Sequence, residues 1–326
     1  MHSATVWASP YLYATEFGAT VSVVGFLECL QRRAMGERVE IPLEVEQALL
    51  DTVDADLEPV RELIMAHRLG QLRSYEAKIE ALVKRISGAV DGSGNASSKG
   101  RPADQRRWLR ELLEVQAQRQ RLLQSRAHPL HAHISPGSVA PIMIVENGIL
   151  TVRPMRFRCR PARMDAKADR LLTGAHVVSV AALNGLWRDH FGTTHGVVAL
   201  QAFHEIVGVH HSLDRPLSKR NPTWSVHLRW APEDGEPLYI ACIWAHWKGA
   251  DGADLRSFAM ISTDAHGGLA AGEPLLKLAV LKRDHVAAWL SPTSADLMRN
   301  LSLLNDAPQV NLCFSQVEAT RLMSTS

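Results

Sequence analysis

Residues 200–211 read LQAFHEIVGVHH, a glutamate with histidines on both sides. Whether this stretch is helix or strand decides what can surround it. A zinc-protease site needs His-Glu-x-x-His on a helix, so that both imidazoles share one face. His204 and Glu205 supply the start, but position 208 is Gly where the second ligand belongs, and His210 and His211 come too late. Val207 and Val209 flank Gly208, which suits extended chain. The stretch is read as part of one mostly apolar strand, HGVVALQAFHEIV, ending in polar residues, and no metal is assigned to it.

The chain around it has the same character. APIMIVENGILTVRP is a strand, an Asn147-Gly148 turn and a return strand, the strongest short-range hairpin signal. TWSVHLRW sets Trp224, Val226, Leu228 and Trp230 on one face, as a half-buried strand does. PEDGEP turns it into LYIACIWAHW, LRSFAMIST follows, and KRDHVAAWL and SADLMRNLSLL close the chain as short helices. Antiparallel strands joined by turns predict a curled sheet or open barrel.

Upstream the period changes. GATVSVVGFLECLQRRAMG begins as a short strand and runs into a helix from about Val24, and Pro42 opens a helix after ERVEI. Leu72, Tyr75, Ile79, Leu82 and Ile86 then fall at spacings of three and four, a coiled-coil seam. VDGSGNASSKGRPAD breaks it, and a second helix carries Trp108, Leu112, Val115 and Leu122 on one side. The expected architecture is therefore α+β: a curled antiparallel sheet or open barrel at 128–326 with flanking helices, and an antiparallel helical hairpin inserted at 52–127 of a single domain. The hairpin's basic residues, among them Lys78, Lys84, Arg85 and Arg119, read as a solvated helix surface ahead of a nucleic-acid or partner surface.

Bulk properties narrow the function classes. The chain has 326 residues, is 46% hydrophobic and carries a formal net charge of +2, too little to demand a nucleic-acid partner on charge alone. Cys29, Cys159, Cys242 and Cys313 form no CxxC pair, which excludes a zinc knuckle and points to a reducing, cytoplasmic compartment. The start MHSATVWASPYLYATEF is not a secretory signal, and no apolar run is long enough to span a bilayer. HPLHAH at 128–133 lies in a Pro-bearing linker and is not assigned a metal; no cofactor is expected.

HISPGSVAPIMIVENG, MRFRCR, LWRDHFGTTHGVVALQAFHE, IACIWAHW, SFAMISTDA, AAGE and VAAWL, in this order, resemble the SRAP family, the SOS-response-associated peptidases that process abasic sites in single-stranded DNA. The N-terminal stretch resembles a branch of that family with a helical insertion. The resemblance implies an N-terminal cysteine, freed by removal of the initiator methionine, whose amine and thiol close on the abasic-site aldehyde as a thiazolidine. It also implies an Asn-Ala-Arg motif, a Glu at a strand end and a His in Gly-His-x-Arg, which move protons and hold DNA. AFHE matches the strand end, so Glu205 stands where the family keeps its catalytic glutamate.

The other three positions depart from the pattern. Position 2 is His2, which cannot form a thiazolidine. Spacing back from Trp187 puts the Asn-Ala-Arg motif at Val177-Val178-Ser179, without amide or guanidinium. AAGEPLLKL replaces Gly-His-x-Arg, with Glu273 for the histidine and Leu275 for the arginine; a carboxylate beside Glu205 would repel it. The implied protein is a divergent SRAP member without crosslinking chemistry and with weakened single-strand binding. Arg156, Arg158, Trp187, Arg188 and Trp247, with Trp244, are the candidate DNA contacts; the competing reading makes Trp187, Trp244 and Trp289 core residues, and for Trp244, within an apolar strand, core is the favoured one. Two alternatives stay open. One is an active enzyme forming a Schiff base through Met1 or a lysine; the other is a non-enzymatic protein that binds a partner through the hairpin.

Overall fold

The computed structural model describes residues 3–5, 10–52, 54–90, 102–124, 133–172, 174–208, 224–250, 252–263, 274, 276–292 and 296–321. In chain order the elements are β1 (Ser3–Thr5), α1 (Pro10–Phe17), β2 (Thr20–Val21), α2 (Val23–Ala34), α3 (Leu43–Leu50), α4 (Glu58–Val90) and α5 (Pro102–Leu123). Then come β3 (His133–Ile134), β4 (Val139–Glu146), β5 (Ile149–Phe157), α6 (Ala168–Leu171), β6 (Val177–Ser179), β7 (His195–Leu200), β8 (Ala202–Gly208) and β9 (Trp224–Pro232). The last are β10 (Leu238–Lys248), β11 (Asp254–Ser262), β12 (Val280–Leu281), α7 (Val286–Trp289), α8 (Leu297–Asn305) and β13 (Leu312–Arg321). Local chemistry sets several boundaries. Ser22 Oγ caps α2 by accepting from Gly25 N–H at 3.1 Å, and Asp296 caps α8 by accepting from Arg299 N–H at 2.9 Å. Asn147 and Gly148 sit at φ 53° and 79°, the left-handed pair that a two-residue hairpin turn requires.

The fold is α+β. The pairings β10–β7, β7–β4, β4–β5, β5–β11 and β11–β10 close into a ring, so the predicted curled sheet is a closed barrel. Closure uses one parallel contact, β11 on β5, and β6 and β2 add further parallel pairs. APIMIV, HGVVAL and LYIACI are buried along almost their whole length, because one side faces the barrel interior and the other is covered. The interior is tight: a Cβ at Gly196 would lie 2.5 Å from Ile142 Cδ1. Between β4 and β7 the ladder is short, with Met143 opposite Val197. Pro141 has no N–H to give. There the Tyr13 hydroxyl of α1 enters, accepting from Ala199 N–H at 2.9 Å and donating to Pro141 C=O at 3.4 Å.

A second sheet, in the order β13-β9-β8-β1-β3, packs beside the barrel. Two expectations need correction here. HGVVALQAFHEIV is not one strand: it breaks at the exposed Gln201, β7 stays in the barrel, and β8 joins the second sheet. The chain does not close in helices either, because β13 follows α8 and pairs with β9. Helices α4 and α5 run antiparallel, with ion pairs Lys78–Glu111 at 3.0 Å and Glu76–Arg119 at 3.3 Å, and Leu82 and Val115 buried between them. The first turns of α4 belong to the main core instead: Val60 and Ile64 are fully buried, and Glu46 of α3 binds both Arg33 at 2.6 Å and Arg68 at 2.8 Å. No helix among the described residues is long and apolar enough to cross a membrane.

Candidate functional site

Glu205 lies in β8, between β1 and β9, and is fully buried. Side chains alternate along a strand, so His204 and Glu205 point to opposite faces, which removes the shared face that a His-Glu-x-x-His site requires. Glu205 pairs with Leu228, and Trp230, two residues on, is its diagonal neighbour on the same face. The indole Nε1–H of Trp230 donates to Glu205 Oε2 at 3.0 Å, and the backbone N–H of Leu276 donates to Oε1 at 2.6 Å. The carboxylate thus joins the second sheet to the segment that runs back along the barrel.

That segment brings the neighbouring positions together. Thr263 N–H donates to Lys277 C=O at 2.8 Å, Leu278 bridges to Ser262, and Ser262 is registered against Ser179 of β6. Val177–Ser179 therefore stands one strand away from the chain that holds Glu205. Val178 is buried and Val177 half-buried. At the other side, Ser3 of β1 is registered against His204, the residue before Glu205. His2 and Glu273, like Leu275, lie outside the described residues, as do the Met1 of the Schiff-base alternative, His128 and His131 of the linker tract and the hairpin tip at 91–101.

The cysteine thiols within the fold are poor substitutes for an N-terminal cysteine. Burial pushes Cys29 up to about 11, Cys159 up to about 12, and Cys242 well above its ordinary value, so these thiols stay protonated near neutrality.

The candidate DNA contacts divide by burial. Trp187 and Trp247 are buried, so neither offers a ring face to a base. Trp247 Nε1–H donates to Met164 C=O at 2.6 Å, and the Arg160 guanidinium sits 4.3 Å over its ring. Trp289 is fully buried, and Trp244 is half-buried with its Nε1–H on His195 C=O at 3.2 Å. Arg156 is engaged by Asp169 at 2.7 and 3.0 Å, and Arg160 binds the same carboxylate. Burial works against the charge of Asp169, but the Arg160 and Arg156 guanidiniums outweigh it and hold the carboxyl well below the usual carboxylate range. Arg188 is exposed. Arg158 sits at φ 122°, a strained backbone for any residue but glycine, and its buried Nε has no hydrogen-bond partner among the described residues. Sequence reading placed Trp230 on the correct face but did not join it to Glu205, because that pairing depends on the register between two strands that lie far apart in the sequence.

The class that this fold and site define is borne out by comparison. Residues 100–321 match the family model of the SOS response associated peptidase (SRAP), and the chain belongs to that family. No curated protein matches it. It is similar to a solved Bordetella bronchiseptica protein at 17% identity, with 57% of this chain and 87% of that chain covered and a TM-score of 0.45. It is also similar to a Bacteroides thetaiotaomicron protein at 15% identity, covering 57% and 77% with a TM-score of 0.43. A phage-related Bordetella bronchiseptica protein matches at 15% identity, covering 57% and 80%, also with a TM-score of 0.43.

Proposed function

We propose that this chain is a SRAP protein that recognises single-stranded DNA without capturing abasic sites covalently. The family's reaction needs a thiol beside an amine, an amide and guanidinium from Asn-Ala-Arg, and an imidazole. This sequence has His2, Val177-Val178-Ser179 and Glu273 at those positions. The observation that carries the reading is the hold on Glu205. Its oxygens accept from Trp230 and from Leu276, so the retained acid works as a fixed joint between the second sheet and the barrel. Arg158 and Arg188 are the contacts for DNA phosphates, since Arg156 is engaged by Asp169 and the tryptophans are buried.

The test is a denaturing-gel assay with single-stranded DNA carrying one abasic site, using wild type and His2→Cys, with and without borohydride. Wild type is expected to give no adduct in either condition, while native gels show salt-sensitive binding. A stable wild-type adduct would refute the loss of chemistry. An adduct seen only after borohydride would establish the Schiff-base route through Met1 or a lysine. A second reading has one observation behind it: Leu109 and Leu113 lie four residues apart on α5 and are 47% and 65% exposed, as a partner-binding helix face would be. Absence of DNA binding, with a partner retained through the hairpin, would favour it.

A further inference from the structure

Far from Glu205, a cleft of about 460 Å³ opens between α2 and the tip of the β10–β11 hairpin. Its wall is α2, seated closely on β5 at Gly25, where a Cβ would come within 3.0 Å of Pro154. β11 starts at the cleft and ends beside Leu278, eight residues later. At ~3.3 Å per residue that strand spans roughly 26 Å.

The formal net charge of the whole chain is only +2, yet among the described residues Arg32, Arg38, Arg153, Arg156, Lys248 and Arg256 line this cleft against the carboxylates of Glu28 and Asp254. Both carboxylates are engaged. Glu28 meets Arg153 at 3.3 Å and Arg256 at 3.7 Å, and Asp254 lies 2.8 Å from His246 Nε2. Carboxylates outside the lining also fix arginines in place: Glu37 holds Arg32, Glu146 holds Arg153 and Asp169 holds Arg156. Arg38 and Lys248 are exposed and make no ion pair among the described residues. The result is a concave surface with these two cations in front of an ordered cationic backing. Among the described residues no Phe, Tyr or Trp lines it, and the one ring that does, His246, is tied to Asp254, so the cleft offers no broad aromatic face on which to stack a base. A ligand would be held by its anionic groups.

We propose that this cleft binds the phosphate groups of a phosphorylated ligand, with Arg38 and Lys248 as the primary contacts. The phosphates are those of a nucleic-acid backbone or of a free phosphorylated compound, and the chemistry of recognition is the same. The assignment is independent of whether the Glu205 site retains any reaction.

Two probes separate the sources: a fluorescein-labelled oligothymidylate without an abasic site, followed by anisotropy, and inorganic triphosphate, followed by calorimetry. Both are applied to the full chain at low salt, as wild type and as Arg38→Ala/Lys248→Ala. Lys84→Ala/Arg85→Ala, on the hairpin, removes the same charge elsewhere. The cleft variant is expected to weaken binding about tenfold while the hairpin variant does not. With the oligonucleotide, its slope of log affinity against log salt should fall by roughly 1.4, two contacts at ~0.7 each. An effect on the oligonucleotide identifies the strand backbone; an effect on triphosphate alone identifies a free compound. The proposal is overturned if wild type binds neither probe, if the cleft variant binds both as wild type does, or if the hairpin variant weakens binding equally. None of these outcomes changes the crosslinking result, because neither probe carries an aldehyde.

Discussion

At Glu205, donors from two different elements meet one buried carboxylate, and this makes its loss costly whatever its chemical role. Removing the side chain leaves the buried Trp230 indole N–H and the partly buried Leu276 amide N–H without this acceptor. An unsatisfied buried donor costs about 1–3 kcal/mol. Glu205→Ala is therefore expected to lower stability by about 3–5 kcal/mol in urea denaturation. Glu205→Gln keeps one acceptor oxygen but turns an NH2 group toward the other donor, and should cost about half as much. If Glu205→Ala unfolds within about 0.5 kcal/mol of wild type, the joint between sheet and barrel is not what this residue provides. The residue itself was legible from AFHE at a strand end. Its partners were not: one is reached diagonally across a strand pair, and the other is a backbone amide that no side-chain pattern announces.

Among elements, the packing of β7 against α7 carries a pH dependence. His195 is buried and stacked on Trp289 with ring centroids 3.7 Å apart. Gly192 N–H donates to Nε2 at 3.1 Å, so the proton sits on Nδ1, which donates to Trp289 C=O at 2.8 Å. A second proton on Nε2 would face a donor. Burial pushes the imidazole down to about 4, against an opposing pull from the Trp289 carbonyl. Above the ordinary value near 6.5 the ring is neutral in both folded and unfolded chain, and its contribution is full. As pH falls from about 6.5 toward 4, the unfolded chain takes up a proton that the folded chain refuses, and stability drops by about 3 kcal/mol at the lower end. Burial lowers His190 as well, so it adds in the same direction. Asp169, held low, keeps its contribution through this window. Wild type is expected to lose about 2–3 kcal/mol between about pH 7.5 and 4.5 in urea titrations, and His195→Gln, weaker at the upper end, to show a clearly shallower loss. Equal slopes would assign the dependence elsewhere. Elements whose signal is local, such as the Asn147-Gly148 turn and the seam from Leu72 to Ile86, could be read from sequence. The switch of sheets at Gln201 could not, because β7 and β8 are both apolar and the turn between them carries no glycine or proline.

For the whole molecule the deciding question is how far the core extends into the long helices. The family match begins at residue 100, so α1 to α4 precede it, yet they do not stand apart from the barrel. Tyr13 completes the β4–β7 joint, α2 lies on β5, and Glu46 ties α3 to Arg68 of α4. Beyond that point the tie weakens. Between Glu76 and Arg119 the buried apolar side chains among the described residues are Leu82 and Val115, which face each other's helices, and the crossing ion pairs are exposed. Exposed pairs contribute about 0–1 kcal/mol each. Replacing residues 76–119 with a short Gly/Ser linker is therefore expected to leave a single cooperative unfolding transition with stability changed by no more than about 1 kcal/mol. Ile64→Ala, only twelve residues upstream of Glu76 on the same helix, should cost about 2–5 kcal/mol, because Ile64 is fully buried in the main core. Thermal denaturation of both variants reads the boundary directly. If the shortened chain loses its cooperative transition, the outer hairpin is part of the folding unit and its length has a structural cause. If it melts as wild type does, the outer turns are free of any duty to the fold, and an exposed Leu109 and Leu113 there must be explained by what they meet outside the chain.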